Sequence, residues 1–132
     1  ENEQKTKKSN VLDKGDNYIL RSKTNWKYND EGKIIEKLFS EYEYKKVNKT
    51  KKTLTSTKKD VYEYKIKDVM PDYYYYENDV LRMKTIYSNE DSYVTTFYFD
   101  GGFVVDSVYE NATHTKDIFY SNGNIIRQKV YE

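Results

Sequence analysis

The chain contains no cysteine, which excludes a disulfide framework, thiolate catalysis and any thiolate-ligated metal. Its single histidine, His114, has no second histidine or cysteine with which to complete a zinc site. It lies in the polar stretch Ala112-Thr113-His114-Thr115 and reads as exposed and uninvolved. Glycine is scarce, at five residues, and the adjacent pair Gly101-Gly102 reads as a hairpin turn rather than a phosphate-binding loop. Serine and aspartate are plentiful, but no Gly-x-Ser-x-Gly elbow presents a nucleophile. Acidic pairs for glycoside hydrolysis rest on composition alone. No apolar run approaches the roughly 18 residues of a membrane-spanning helix. These absences lead to the expectation of a non-enzymatic protein with no catalytic residue, metal or cofactor.

What remains is tyrosine and charge. The 132 residues suffice for one domain with a modest core and are few for two. Sixteen are tyrosine, five are phenylalanine, and 34% are charged. A tyrosine ring buries a large area yet carries a hydroxyl that needs water or a partner. The composition therefore favours thin, half-buried sheets over a thick, dry core, and tyrosine, phenylalanine, threonine, isoleucine and valine all suit a pleated surface. Charge is unevenly spread. Lys45 to Lys67 holds nine lysines against Asp60 and Glu63, whereas Asp68 onward holds eleven acidic residues against five basic ones. The two regions should show opposite potentials.

The first ten residues are polar, lysine-rich and without apolar periodicity, so residues 1–14 read as a disordered tether and residues 15–132 as a single all-β repeat domain. The chain begins at Glu1 without methionine, which reads as a processed precursor. Tethers of this kind commonly follow the lipid-modified cysteine of a bacterial lipoprotein, here upstream of Glu1. The expected location is extracytoplasmic, in the cell envelope or secreted.

Short strands and turns follow. Asn17–Ser22 is a strand candidate, and Trp26–Tyr28 leads through a turn containing Gly32 to Ile34–Phe39. That last segment also fits helical spacing, but Tyr42 and Tyr44 continue an alternating pattern and favour a strand. Glu41–Val47 and Thr53–Thr57 suggest an exposed hairpin guarded by lysine. Val61–Lys67 alternates with Tyr62, Tyr64 and Ile66 on one face, and Pro71 closes it. Beyond Asp72 the units become regular, each an aromatic run, a turn and an apolar pair. The pairs begin at residues 34, 80, 103 and 125, the last three 23 and 22 residues apart. Such a period marks single-hairpin repeats. Each hairpin alone is marginal, so neighbours must pair. The expected fold is an all-β antiparallel meander with ~22-residue repeats, as an extended twisted sheet or a partly closed barrel.

The segments YSNGNIIRQKVY, YENDVLRMKTIY, FDGGFVVDSVY and YNDEGKIIEKLF resemble bacterial MORN-variant repeats of the toxin–antitoxin type and the YD repeats of RHS-type secreted proteins. The resemblance covers residues 26–39, 73–87, 97–109 and 118–131. Asp79 stands where glycine is usual, and residues 45–67 lie outside the pattern. It implies β-hairpins used for surface display, partner binding or neutralisation of a cognate toxin, and it carries over no catalytic residue.

Candidate binding residues are Tyr73, Tyr74, Tyr75 and Tyr76, with Tyr62, Tyr64, Lys45, Lys46, Lys58 and Lys59. In a strand, alternate tyrosines face opposite ways. The run thus reads either as a sheet with both faces partly covered or as an aromatic platform for a protein or cell-surface glycan. The lysine zone lacks arginine, which dominates specific phosphate contacts, and a solvated hairpin is favoured there over nucleic-acid binding. Two functions are expected: an envelope protein binding a macromolecule through its tyrosine-rich face, or an immunity-like protein blocking one toxin.

Overall fold

The computed structural model describes residues 7–13, 18–45 and 52–132. Ten strands follow one another: β1 (Lys7–Asp13), β2 (Tyr18–Tyr28), β3 (Ile34–Lys45), β4 (Lys52–Glu63), β5 (Asp72–Glu77), β6 (Val80–Tyr87), β7 (Tyr93–Tyr98), β8 (Phe103–Glu110), β9 (Thr113–Ser121) and β10 (Asn124–Val130). A 3-10 turn over Asp100–Gly102 is the one helical element among the described residues. No helix there is long and apolar enough to cross a membrane. Hydrogen-bonded neighbours follow chain order from β1 to β10 in one all-β antiparallel meander. The order does not return to β1, so of the two expected forms the open sheet is the one present.

Two expectations change. Residues 7–13, read as part of a tether, form β1 and pair with β2 over seven positions; the rest of that segment, residues 1–6 and 14, lies outside the described residues. The alternation of Val61–Lys67 stops early, because β4 ends at Glu63 and residues 64–71 form the connection to β5, with Asp68 at φ 60°. Within the one meander, contacts cluster into two compact units, residues 1–61 with 76–80 and residues 62–75 with 81–132. In a meander each strand touches mainly its neighbours, so packing clusters locally.

In the first unit the β2–β3 turn is fixed by Asn29, whose Oδ1 accepts the amides of Glu31 and Lys33 at 3.0 Å each. Asparagine makes such local bonds readily. Between β3 and β4 an extra residue, Thr55, forms a bulge and donates its hydroxyl to the Glu41 carbonyl at 3.0 Å. At the β5–β6 turn Asn78 donates its amide to the Thr57 carbonyl (2.9 Å) and accepts the Thr57 amide on Oδ1 (2.8 Å). Asn78 and Asp79, at φ 48° and 64°, make the tight hairpin turn that calls for positive φ at both central residues.

The second unit repeats these devices. Asn111-Ala112 and Asn122-Gly123 are turns of the same kind, with φ of 50° and 62°, and of 50° and 84°. Asn122 donates its amide to the Gly102 carbonyl at 2.9 Å, tying successive turns together. Only one apolar residue among those described is buried, Leu20 at 8% exposure. The other buried residues are polar: Ser40, Asp72 and Thr96. Stability therefore resides in cross-strand pairs rather than in a dry interior.

Candidate functional site

The sequence-derived candidates are divided between the two units. In the first unit, the Lys59 ammonium sits 4.8 Å above the Tyr76 ring and Lys58 is exposed. Lys46 and the side chain of Lys45 lie outside the described residues. In the second unit, Tyr62 and Tyr73 pack with ring centroids 5.4 Å apart, tilted by 40°. Tyr64 lies in the connection after β4 and is exposed. Tyr73, Tyr74 and Tyr75 are half-buried, as is Tyr76. Burial, with Glu63 nearby, raises the Tyr74 phenol above its ordinary value. Next to this run Asp72, 3% exposed, accepts the Tyr87 amide at 2.9 Å and pairs with the Lys65 ammonium.

A longer aromatic array lies on other residues of the second unit. The register aligns Tyr87 with Tyr93, Tyr93 with Tyr109, and Tyr109 with His114. Their ring centroids follow at 5.0, 4.6 and 4.7 Å, and His114 is 4.2 Å from Tyr131. The Tyr93–Tyr109 and Tyr109–His114 pairs are stacked, at 12° and 17°; the two outer pairs are tilted. These spacings are those of neighbouring strands. The result is a five-ring row across β6 to β9 and the residue after β10.

His114 corrects the expectation of an uninvolved histidine. In a regular strand His114 and Asp117, an odd number of positions apart, would face opposite ways. A bulge in β9 places both His114 and Thr115 opposite Tyr109, and the Thr115 hydroxyl donates to the Val108 carbonyl at 3.2 Å. His114 thereby turns onto the face of Asp117. Its Nε2 lies 2.8 Å from Asp117 Oδ1, which also accepts the Ser107 hydroxyl at 2.8 Å. Asp117 Oδ2 accepts the Tyr131 hydroxyl at 2.5 Å. Burial works to raise the Asp117 carboxyl, but the hydrogen bonds from Tyr131, Ser107 and His114 outweigh it and hold the group below the usual carboxylate range. The same bond raises the Tyr131 phenol.

Beside the ring row runs a row of short polar side chains. Thr85 and Thr95 share a hydrogen bond of 2.9 Å, and the register continues through Ser107 to Asp117. The Asp117 carboxylate thus anchors both rows. Serine and histidine bond the same carboxylate rather than each other, so the arrangement lacks the serine-to-histidine link of a nucleophilic triad. No group of three or more potential metal ligands occurs among the described residues.

One sequence signal did mark this row. Tyr87, Tyr109 and Tyr131 stand 22 residues apart, each closing a repeat. Tyr93 and His114 carry no such mark and join through register and bulge. Comparisons of the chain with protein-family models, curated proteins and solved structures found no match.

Proposed function

We propose that this chain is a non-enzymatic binding protein of the bacterial cell exterior whose second unit docks a partner protein on the Tyr87–Tyr93–Tyr109–His114–Tyr131 row. The observation carrying this reading is the row itself: five contiguous rings, pinned by a carboxylate that takes three side-chain hydrogen bonds. Rigid amphipathic rings lose little entropy on contact, which suits a recognition surface. The ring orientation favours a protein over a glycan. A sugar packs on an open ring face, but here the faces of Tyr93, Tyr109 and His114 are taken up by their neighbours. What the row offers outward is edges and polar tips, which suit a polar, hydrogen-bonding protein surface. The resemblance to hairpin-repeat proteins of bacterial surfaces supports the extracytoplasmic setting.

The test is affinity capture on the protein and on a Tyr93→Thr/Tyr109→Thr variant, with circular dichroism checking that the variant keeps its sheet. Threonine keeps strand propensity while removing two central rings. One protein recovered in stoichiometric yield by the wild type and lost by the variant supports the reading. If that partner is toxic alone, the immunity function follows. Equal recovery by the folded variant refutes the assignment of this face.

A further inference from the structure

The first unit holds a groove of about 220 Å³ whose walls include Lys7, Arg21, Lys23, Tyr42, Tyr44 and Lys52. Among the described residues that line it, four side chains are cationic and none is a carboxylate. Among the described residues none of the four has a carboxylate at ion-pair distance, in contrast to Lys27, which pairs with Glu36 at 3.1 Å. Lys7 and Lys23 are close enough that Lys23 holds the Lys7 ammonium below its ordinary value. Like charges brought together on one face, with no described carboxylate beside them, repel one another and favour an anionic occupant.

The nature of that occupant follows from the rings and the strands. The Arg21 guanidinium lies 5.1 Å over Tyr44, and the Lys52 ammonium lies 4.7 Å over Tyr42. One face of each tyrosine is thus taken by a cation, which leaves less open ring than single-stranded nucleic acid uses to stack its bases. Arg21 and Lys23 are two residues apart on β2, so they point to the same face about 7 Å apart, the repeat of any extended chain. Val11 pairs with Arg21 and Ser9 with Lys23, placing both cations one strand in from β1, which stands at the end of the strand order.

We propose that this groove binds an extended acidic segment of a partner protein, with aspartate or glutamate at alternate positions, laid along β1 so that successive carboxylates meet Arg21 and Lys23. Strand addition supplies affinity through the backbone and specificity through alternate side chains. The site is distinct from the tyrosine row, and neither proposal depends on the other.

The test is fluorescence anisotropy with a labelled alternating peptide, five Glu-Thr repeats. It is compared with a peptide of the same composition whose glutamates form one block, and with oligothymidylate. The alternating peptide should bind saturably, more weakly as salt rises, and in preference to both comparators. Arg21→Gln/Lys23→Gln should weaken it about tenfold, while Lys27→Gln/Lys33→Gln, which removes the same charge outside the groove, should change it little. Lys52→Gln gives a second, single-site reading should the double variant fold poorly. Absence of saturable binding, an equal loss in the control variant, equal binding of the blocked peptide or tighter binding of oligothymidylate would each overturn the proposal.

Discussion

Asp117 is the point at which the tyrosine row is most vulnerable. Its carboxylate is 13% exposed and takes side-chain hydrogen bonds from Ser107, His114 and Tyr131. Hydrogen bonds to a charged acceptor each contribute about 1.5–3 kcal/mol, but they are not additive, and donors freed near the surface regain water. With His114 about a third exposed, Asp117→Ala should cost about 2–4 kcal/mol in total. Asp117→Asn keeps one carbonyl acceptor but turns an NH₂ group toward one of the donors, and should cost about 1–2 kcal/mol. Urea unfolding followed by the near-ultraviolet dichroism of the tyrosines would read both. The pH dependence gives the sharper check. The folded carboxyl lies below its ordinary value, so the unfolded chain takes up the proton first as pH falls. The stability it contributes is present above the ordinary carboxylate value of about 3.9 and is lost as pH drops through the lower native value. The gap between wild type and Asp117→Asn should therefore be full at about pH 5 and narrow as pH falls below the ordinary carboxylate value. A gap that stays constant over this window, or an Asn variant as stable as wild type at its top, would refute the hub.

Three further outcomes follow from the turns and from the buried aspartate. Ala112 is held at φ 62° without the special tolerance of glycine or asparagine, so Ala112→Gly should raise unfolding stability by about 0.5–1 kcal/mol, after the added freedom of the unfolded chain is deducted. Gly102→Ala should do the reverse: the residue is at φ +79° and a Cβ there would lie 2.2 Å from Asn122 Oδ1, so a loss above about 1 kcal/mol is expected in the same urea titration. Asp72→Ala removes the acceptor of the Tyr87 amide and the counter-ion of Lys65, and should cost about 2 kcal/mol, with faster hydrogen exchange at the Tyr87 amide as the local readout.

The strands were legible because alternation, turn residues and the 22-residue recurrence all pointed the same way. The Asn-Gly turn at Asn122-Gly123 and the apolar pair at Ile125-Ile126 are local facts, and the structure places turn and strand there. The face of His114 was not legible, because it depends on one extra residue, Thr115, opposite Tyr109. Alternation counted through that point assigns the wrong side, and nothing in the local sequence Thr113-His114-Thr115 announces a bulge. The Tyr73–Tyr76 run is arranged differently from the Tyr87–Tyr131 row. Four adjacent rings necessarily divide between two faces, whereas Tyr87, Tyr109 and Tyr131, far apart in sequence, belong to one row. The groove of Lys7, Arg21, Lys23 and Lys52 was hidden in the same way, since its cations come from three different strands and only register assembles them.

On the proposed function, stability and recognition draw on the same side chains. Ordinary domains hide their stabilising residues in an interior and present other residues to partners, but here Leu20 is the one buried apolar residue among those described. Cross-strand contacts between half-exposed rings must carry the sheet. Each ring in the Tyr87–Tyr131 row is at once part of that framework and part of its surface. A substitution that abolishes binding therefore says little until the folded state has been measured beside it. Conversely, a partner that covers the row should protect the strands beneath it, and Asp117 with them. Hydrogen exchange slowed at β7, β8 and β9 by a bound partner, and unchanged by a partner occupying only the cationic groove, would separate the two surfaces in one experiment.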